Sequence, residues 1–141
     1  MSVYLDTSLL VGLFVEGDTH AVRAGSFSVD DDEVMVVSDF AAAEFSSVIA
    51  RLTRMNAIGP EQAREVFGGF DEWRARFTGN AEAGASDLGA ATAIIRRLDL
   101  NIRAPDAINL AIARRLGASI ATFDRGMAQN ARALGIAVAA V

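Results

Sequence analysis

The chain is predicted to adopt an α/β fold, a three-layer α/β/α sandwich around a central, mainly parallel sheet. Two observations carry this. Short apolar runs alternate with longer amphipathic segments along the whole sequence, and such alternation builds parallel sheets covered on both faces. The first of these runs, Val3-Tyr4-Leu5, ends in Asp6 and turns at once through Thr7-Ser8 into Leu9-Leu10-Val11. That arrangement sets a carboxylate at the carboxyl edge of a sheet, where open α/β sheets bind their ligands.

Taken in order, residues 3–5 read as a buried strand and 7–15 as a helix that Gly17 breaks. Residues 20–27 suit a second short helix capped by Asp18 or Thr19, and Asp30-Asp31-Asp32-Glu33 is an acidic turn. The β-branched run 34–37 predicts the next strand. Ser38 or Asp39 caps a long helix reaching Met55, with Phe45, Val48, Ile49 and Leu52 as its core stripe. Asn56 and Gly59 end it, and Pro60 opens another helix to Phe77. The apolar face there is Val66, Phe67, Phe70, Trp73 and Phe77, and Gly68-Gly69 marks a place for a kink. Residues 80–85 suggest a poor edge strand. Ser86 or Asp87 caps a helix through Leu98, and Pro105 opens one that ends near Gly117. Residues 119–123 read as a strand, 125–134 as a helix and 136–141 as a final strand. No linker or repeat interrupts 1–141, so a single domain is expected.

Composition narrows the chemistry. More than half of the residues are apolar, enough for a core. There is no basic apolar leader and no apolar stretch of the ~18 residues that span a bilayer, so a cytosolic protein is expected. The absence of cysteine excludes disulfides, thiolate zinc sites and cysteine nucleophiles, and the single His20 argues against a serine triad. All thirteen basic residues are arginine. They suit bidentate contact with phosphate or carboxylate, and no lysine base exists. The net charge of −5 argues against simple electrostatic wrapping of nucleic acid.

Four acids stand out: Asp6, Glu44, Asp106 and Asp124. Each has a bland explanation. Asp6 and Asp124 precede helices as N-caps do, and Asp106 lies in a first helical turn that favours negative charge. Together they mean more. Asp6 and Asp124 both end apolar strands and belong at one sheet edge, and Glu44 lies one turn into the helix after the second strand. The helix holding Asp106 precedes a strand, and its direction does not by itself carry Asp106 to that edge. Unit charges ~5 Å apart at an effective dielectric of ~20 repel by ~3 kcal/mol, so a cluster of this kind calls for a divalent cation. Oxygen ligands select Mg²⁺ or Mn²⁺, which would lower the pKa of a bound water and balance charge on a phosphodiester.

These motifs resemble the PIN-domain family, and within it the VapC-type toxins of bacterial toxin–antitoxin pairs. Tyr4-Leu5-Asp6-Thr7-Ser8 looks like the opening motif and Ala43-Glu44-Phe45 like the second. Ala104-Pro105-Asp106-Ala107-Ile108-Asn109-Leu110-Ala111 is similar to the third, and Thr122-Phe123-Asp124 to the more variable fourth. The resemblance covers essentially the whole chain. It implies a PIN-like fold in which Asp6, Glu44, Asp106 and Asp124 converge on Mg²⁺ or Mn²⁺ as metal-binding and catalytic acids. It also implies an endoribonuclease that cuts cellular RNA and halts translation, a VapB-type antitoxin partner, and a homodimer. Asp39, an extra acid near the site, reads as a helix cap.

Two other classes compete. A phospho-receiver would need a lysine that this chain lacks. A dehalogenase-like phosphatase would need an aspartate where Ser8 stands. A non-catalytic α/β binding module, its acids serving only as helix caps, is the alternative.

Overall fold

The computed structural model describes residues 1–141. In chain order the elements are β1 (Ser2–Leu5), α1 (Thr7–Phe14), α2 (Ala21–Gly25), β2 (Val34–Ser38), α3 (Asp39–Arg54), α4 (Pro60–Phe77), β3 (Gly79–Ala81), α5 (Ala85–Arg96), α6 (Ala104–Arg115), β4 (Ser119–Ala121) and α7 (Arg125–Ala133). The strands form one parallel sheet in the order β3-β2-β1-β4. Parallel strands need crossovers, and the helices that supply them cover the sheet as the α/β sandwich requires.

The core follows from the apolar runs. Val3, Tyr4 and Leu5 of β1 are fully buried at the centre of the sheet, beside Val37 of β2 and Ile120 of β4. On α1, Leu9 and Leu10 are buried against the same cluster as Phe45 and Ile49 of α3. A smaller cluster of Ala91, Ile94, Ala107 and Ala111 joins α5 to α6. Gly17, at φ +80°, ends the α1 turn, and Gly117, at φ +63°, turns α6 into β4. Both conformations favour glycine. No helix is long and apolar enough to cross a membrane.

The topology answers the question of Asp106. A helix antiparallel to the strand it feeds starts at that sheet's carboxyl edge and ends at its amino edge. The start of α6 therefore lies over the ends of β1 and β4.

Several expectations need correction. Residues 136–141 do not form a strand. They make one parallel bridge, Val138 to Ile120, with Ile120 N–H donating to Ala137 O at 2.8 Å and Ala139 N–H to Ile120 O at 2.9 Å. The three-residue β4 offers no longer edge to pair with. The edge strand begins at Gly79 and ends at Ala81, so 82–85 lie outside it. Helix α5 starts at Ala85 with Gly84 as its N-cap, and Asp87 reaches back to accept from Gly84 N at 2.9 Å. At the start of α3, Ser38 is the cap, its Oγ accepting from Ala41 N at 3.0 Å. Asp39 is instead paired with Arg74 at 2.8 Å.

Gly68-Gly69 does not break α4, which is continuous from Pro60 to Phe77. Both glycines face open space, while Phe70 and Trp73 anchor the helix. Phe70 stacks on Phe45 at 4.2 Å between ring centroids, and Phe14 meets the Trp73 ring edge-on at 5.2 Å. Most of the aromatic load on α4 is thus core, and Phe77 is its exposed member.

Candidate active site

Strand β1 delivers Asp6 to the carboxyl edge of the sheet, where it is 5% exposed. It stands at the N-cap position of α1, yet its side chain makes no capping bond. Instead Oδ2 accepts from Ser8 Oγ at 2.9 Å and from Thr122 Oγ1 at 2.7 Å. Ser8 Oγ accepts in turn from Phe123 N at 3.0 Å, and Thr122 Oγ1 from Asp124 N at 3.0 Å. The hydroxyls thereby tie β1 to the loop after β4. Burial pushes the Asp6 carboxyl up from its ordinary value, opposed by these two hydroxyl bonds.

Glu44 is half-buried on the second turn of α3, with Ala41 and Phe45 beside it turned into the core. Its Oε1 accepts from Asn109 Nδ2 at 2.5 Å and from Thr7 Oγ1 at 3.3 Å. Behind it runs a buried polar chain. Tyr4 Oη donates to Asn109 Oδ1 at 2.5 Å and shares a 2.6 Å bond with Ser38 Oγ. With Tyr4 committed as donor, Ser38 donates to it, and the chain points from Ser38 through Tyr4 and Asn109 to Glu44. Desolvation raises the Tyr4 phenol well above its ordinary value, so it stays a donor. Desolvation also raises the Glu44 carboxyl, and the charges of Asp6 and Asp106 add to it.

Asp106 lies in the first turn of α6, whose N-cap residue is Arg103. Burial raises it first, followed by the charges of Asp6 and Asp124, with Arg103 weakly opposed. Asp124 alone is a true cap, its Oδ1 accepting from Met127 N at 2.9 Å. Capping therefore accounts for Asp124, the helix dipole favours Asp106 in its first turn, and neither explains Asp6 or Glu44.

All four sequence-nominated acids thus stand at one edge, where the charge of Asp6 raises both Glu44 and Asp106 and that of Asp106 raises Glu44. No basic side chain pairs with any of them: the ion pairs of the molecule join Arg74 to Asp39, Arg97 to Asp99 and Arg115 to Asp87. No three acidic or histidine side chains stand close enough to form a ready-made chelate. The donors here are carboxylate oxygens, which suit a hard cation that takes one or two carboxylates and retains waters; a thiolate or multi-histidine metal has no ligands in this chain.

The sequence reading passed over the residues that hold the acids: Ser8, Thr122, Tyr4, Ser38 and Asn109. Some signal was present. Asn109 follows Asp106 by three residues, hence on the same helical face, within an otherwise apolar stretch.

Acids braced by hydroxyls at the carboxyl edge of a parallel α/β sheet place the site where open α/β domains bind their ligands. The chain belongs to the PIN-domain family, whose model matches residues 3–133. Among solved structures it is similar to VapC20 of Mycobacterium tuberculosis, a sarcin–ricin loop cleaving toxin, with a TM-score of 0.72, 19% identity and 99% of each chain covered. It is also similar to VapBC2 from Rickettsia felis bound to a promoter DNA fragment, with a TM-score of 0.72, 13% identity, and 99% of this chain and 98% of that chain covered. For VapBC-1 from nontypeable Haemophilus influenzae the TM-score is 0.66 at 14% identity, covering 99% and 97%. These likenesses are of fold. None of the curated proteins matches the sequence.

Proposed function

We propose that this protein is a metal-dependent endoribonuclease, the toxin of a toxin–antitoxin pair. The observation that carries the reading is a set of carboxylates at one sheet edge, Asp6 buried and Glu44 and Asp106 half-buried, with no basic partner. Membership of the PIN family and the toxin structures of like fold support it. Asp6 and Asp106 would hold Mg²⁺ or Mn²⁺, with Glu44 and Asp124 engaged directly or through water. When bound, the ion supplies Lewis acidity at the phosphodiester and lowers the pKa of a water.

The chain's own groups do the rest. Ser8 and Thr122 fix the Asp6 carboxylate, so its orientation is set before substrate arrives. Glu44, its basicity raised by burial and oriented by Asn109, accepts the proton of the attacking water. Attack by the water on phosphorus breaks the P–O3′ bond, and the departing oxygen takes a proton from solvent, leaving a 5′ phosphate and a 3′ hydroxyl. The antitoxin would block the acidic pocket with a basic side chain, and two copies of the chain would form the active toxin. Exposed Phe77, Leu88 and Met55 supply apolar surface for such contacts.

The test uses purified protein, total cellular RNA and Mg²⁺, with and without EDTA. Cleavage is expected only without chelator, yielding 5′-phosphate ends. Cleavage that persists in EDTA, or that leaves 2′,3′-cyclic phosphates, overturns the mechanism. Light scattering of the free chain tests the dimer, and a monomer at micromolar concentration overturns it.

A further inference from the structure

Two clefts flank the acidic centre. One, of about 510 Å³, has Glu44 and Asp106 in its wall together with Arg51, Arg54 and Arg103. The other, of about 690 Å³, runs from Thr122 and Asp124 past Arg23, Arg125 and Arg132 to the C-terminal Val141. Asp106 stands in the wall of the first cleft and Asp124 in that of the second, both at the carboxyl edge of the sheet.

The arginines are placed by helical spacing. Glu44, Ser47, Arg51 and Arg54 lie three or four residues apart along one stripe of α3, and all four line the first cleft. Arg125 and Arg132 are two turns apart on α7, whose first turn Asp124 caps. Arg103 is the N-cap residue of α6, three before Asp106.

None of these six arginines forms an ion pair, although two or more acids share the space with them. Arg23 spends one N–H on Val141 O at 2.9 Å and lies over the Phe123 ring at 4.9 Å. The others keep their forks free. In a chain with 18 acids and 13 arginines, unpaired guanidinium groups concentrated on both sides of a carboxylate centre are available for an outside anion. A planar fork of five N–H donors matches phosphate.

We propose that the two clefts are phosphate-binding subsites for one strand. Arg51, Arg54 and Arg103 hold the backbone on one side of the scissile phosphodiester, and Arg23, Arg125 and Arg132 hold it on the other. The strand is single-stranded RNA, an identity that rests on the nuclease reading above. Each cleft has the volume of a small-ligand site, which suits one or two nucleotides of a lone strand and not a duplex. The alternation of basic cleft, acidic centre and basic cleft also reconciles a chain of net charge −5 with a polyanionic substrate, because the positive charge is local.

The test is equilibrium binding of a fluorescein-labelled single-stranded RNA 12-mer by anisotropy, in EDTA, across a salt series. For single strands the log–log slope is about −0.7 per phosphate neutralised, so six contacts predict about −4 for the wild-type chain. The double variants R51Q/R54Q and R125Q/R132Q should each flatten the slope by about 1.4. Arg64→Gln and Arg96→Gln, exposed positions outside both clefts, should leave it unchanged. Melting temperatures check that all variants fold.

A wild-type slope near zero overturns the proposal, as does an equal change in the control variants. Competition by a polyglutamate peptide as effective as that by unlabelled RNA also overturns it, in favour of an acidic-peptide site. Because binding is read in chelator, the two readings fail separately. RNA held through both clefts by a chain that never cleaves removes the nuclease and leaves the subsites. Cleavage with unaltered slopes in both double variants does the reverse.

Discussion

Asp6 shows why single residues in this site are expensive to the fold and useful to the chemistry. A carboxylate 5% exposed has lost most of its hydration, and two hydroxyl bonds return only part of it. Asp6→Asn keeps an acceptor for Ser8 and Thr122 while removing the charge. The variant should melt higher than wild type in EDTA and should lose both cleavage and any melting shift with Mg²⁺. Calorimetry with and without metal checks this, and an equal metal shift in both proteins would sink the metal assignment. Asn109→Ala makes the complementary case. It removes the acceptor of the Tyr4 hydroxyl, which can turn to donate to Ser38, and one of the two donors to Glu44, which keeps Thr7. The loss is that of buried hydrogen bonds at ~0.5–1.5 kcal/mol each. Urea titration should show that loss. Restoring the wild-type midpoint with alanine at 109 would mean that the Tyr4–Asn109–Glu44 chain carries no stability.

At the scale of the elements, close approach decides what substitutions cost. A Cβ added at Gly12 would lie 2.9 Å from the Ala24 Cβ, so α1 and α2 touch there almost backbone to backbone. Helix propensity alone would make Gly12→Ala stabilising by up to ~1 kcal/mol. Overpacking costs ~1–3 kcal/mol, and the net expectation is a lower melting temperature. A rise on thermal denaturation would show that α2 moves away freely.

The same scale explains what was legible in the sequence. Strands β1 and β2 and the starts of α1, α3 and α4 follow from apolar runs and local capping, so local signals sufficed. The failures are tertiary. Residues 136–141 read as apolar as a strand, but pairing needs a neighbour of matching length, and β4 ends after three residues. Strand β3, with Gly79 and Asn80, has little propensity of its own. It is held by Arg74, which donates to Val37 O at 3.2 Å and also to Asp39 and Asn80. Of the candidate site, Asp6, Asp106 and Asp124 were legible because each ends a strand or opens a helix, and Glu44 because it lies one turn into the helix after β2. Their supports were not, because Tyr4, Ser38 and Asn109 come from three distant segments whose contact only the fold creates.

For the molecule as a whole, the acids make stability depend on pH with a definite sign. Asp6, Glu44 and Asp106 all have folded values raised above their ordinary ones, by burial first. The folded state then binds more protons than the unfolded state across the interval from the ordinary carboxylate range, about 4, up to the raised values. Stability must therefore fall as pH rises through that interval. Asp87 runs the other way. Its bonds to Arg115, at 2.7 and 3.0 Å, hold it below its ordinary value, so its contribution is present above that value and disappears as pH falls through the lowered one. The Arg115 side chain is 42% exposed, which screens that pair and makes it the smaller effect. Subtracting the wild-type melting temperature from that of Asp6→Asn, both in EDTA, isolates the site from every other group. The difference should be largest at neutral pH and shrink toward zero as the Asp6 carboxyl protonates on acidification. Mg²⁺ at ~100 times its Kd should contribute ~2.7 kcal/mol to the wild-type chain at neutral pH. That contribution should fade over the same acid range, because the ion and the proton compete for the same carboxylates. A difference that stays constant with pH would mean that Asp6 keeps its charge at no cost, and the electrostatic argument for a cation would fall with it.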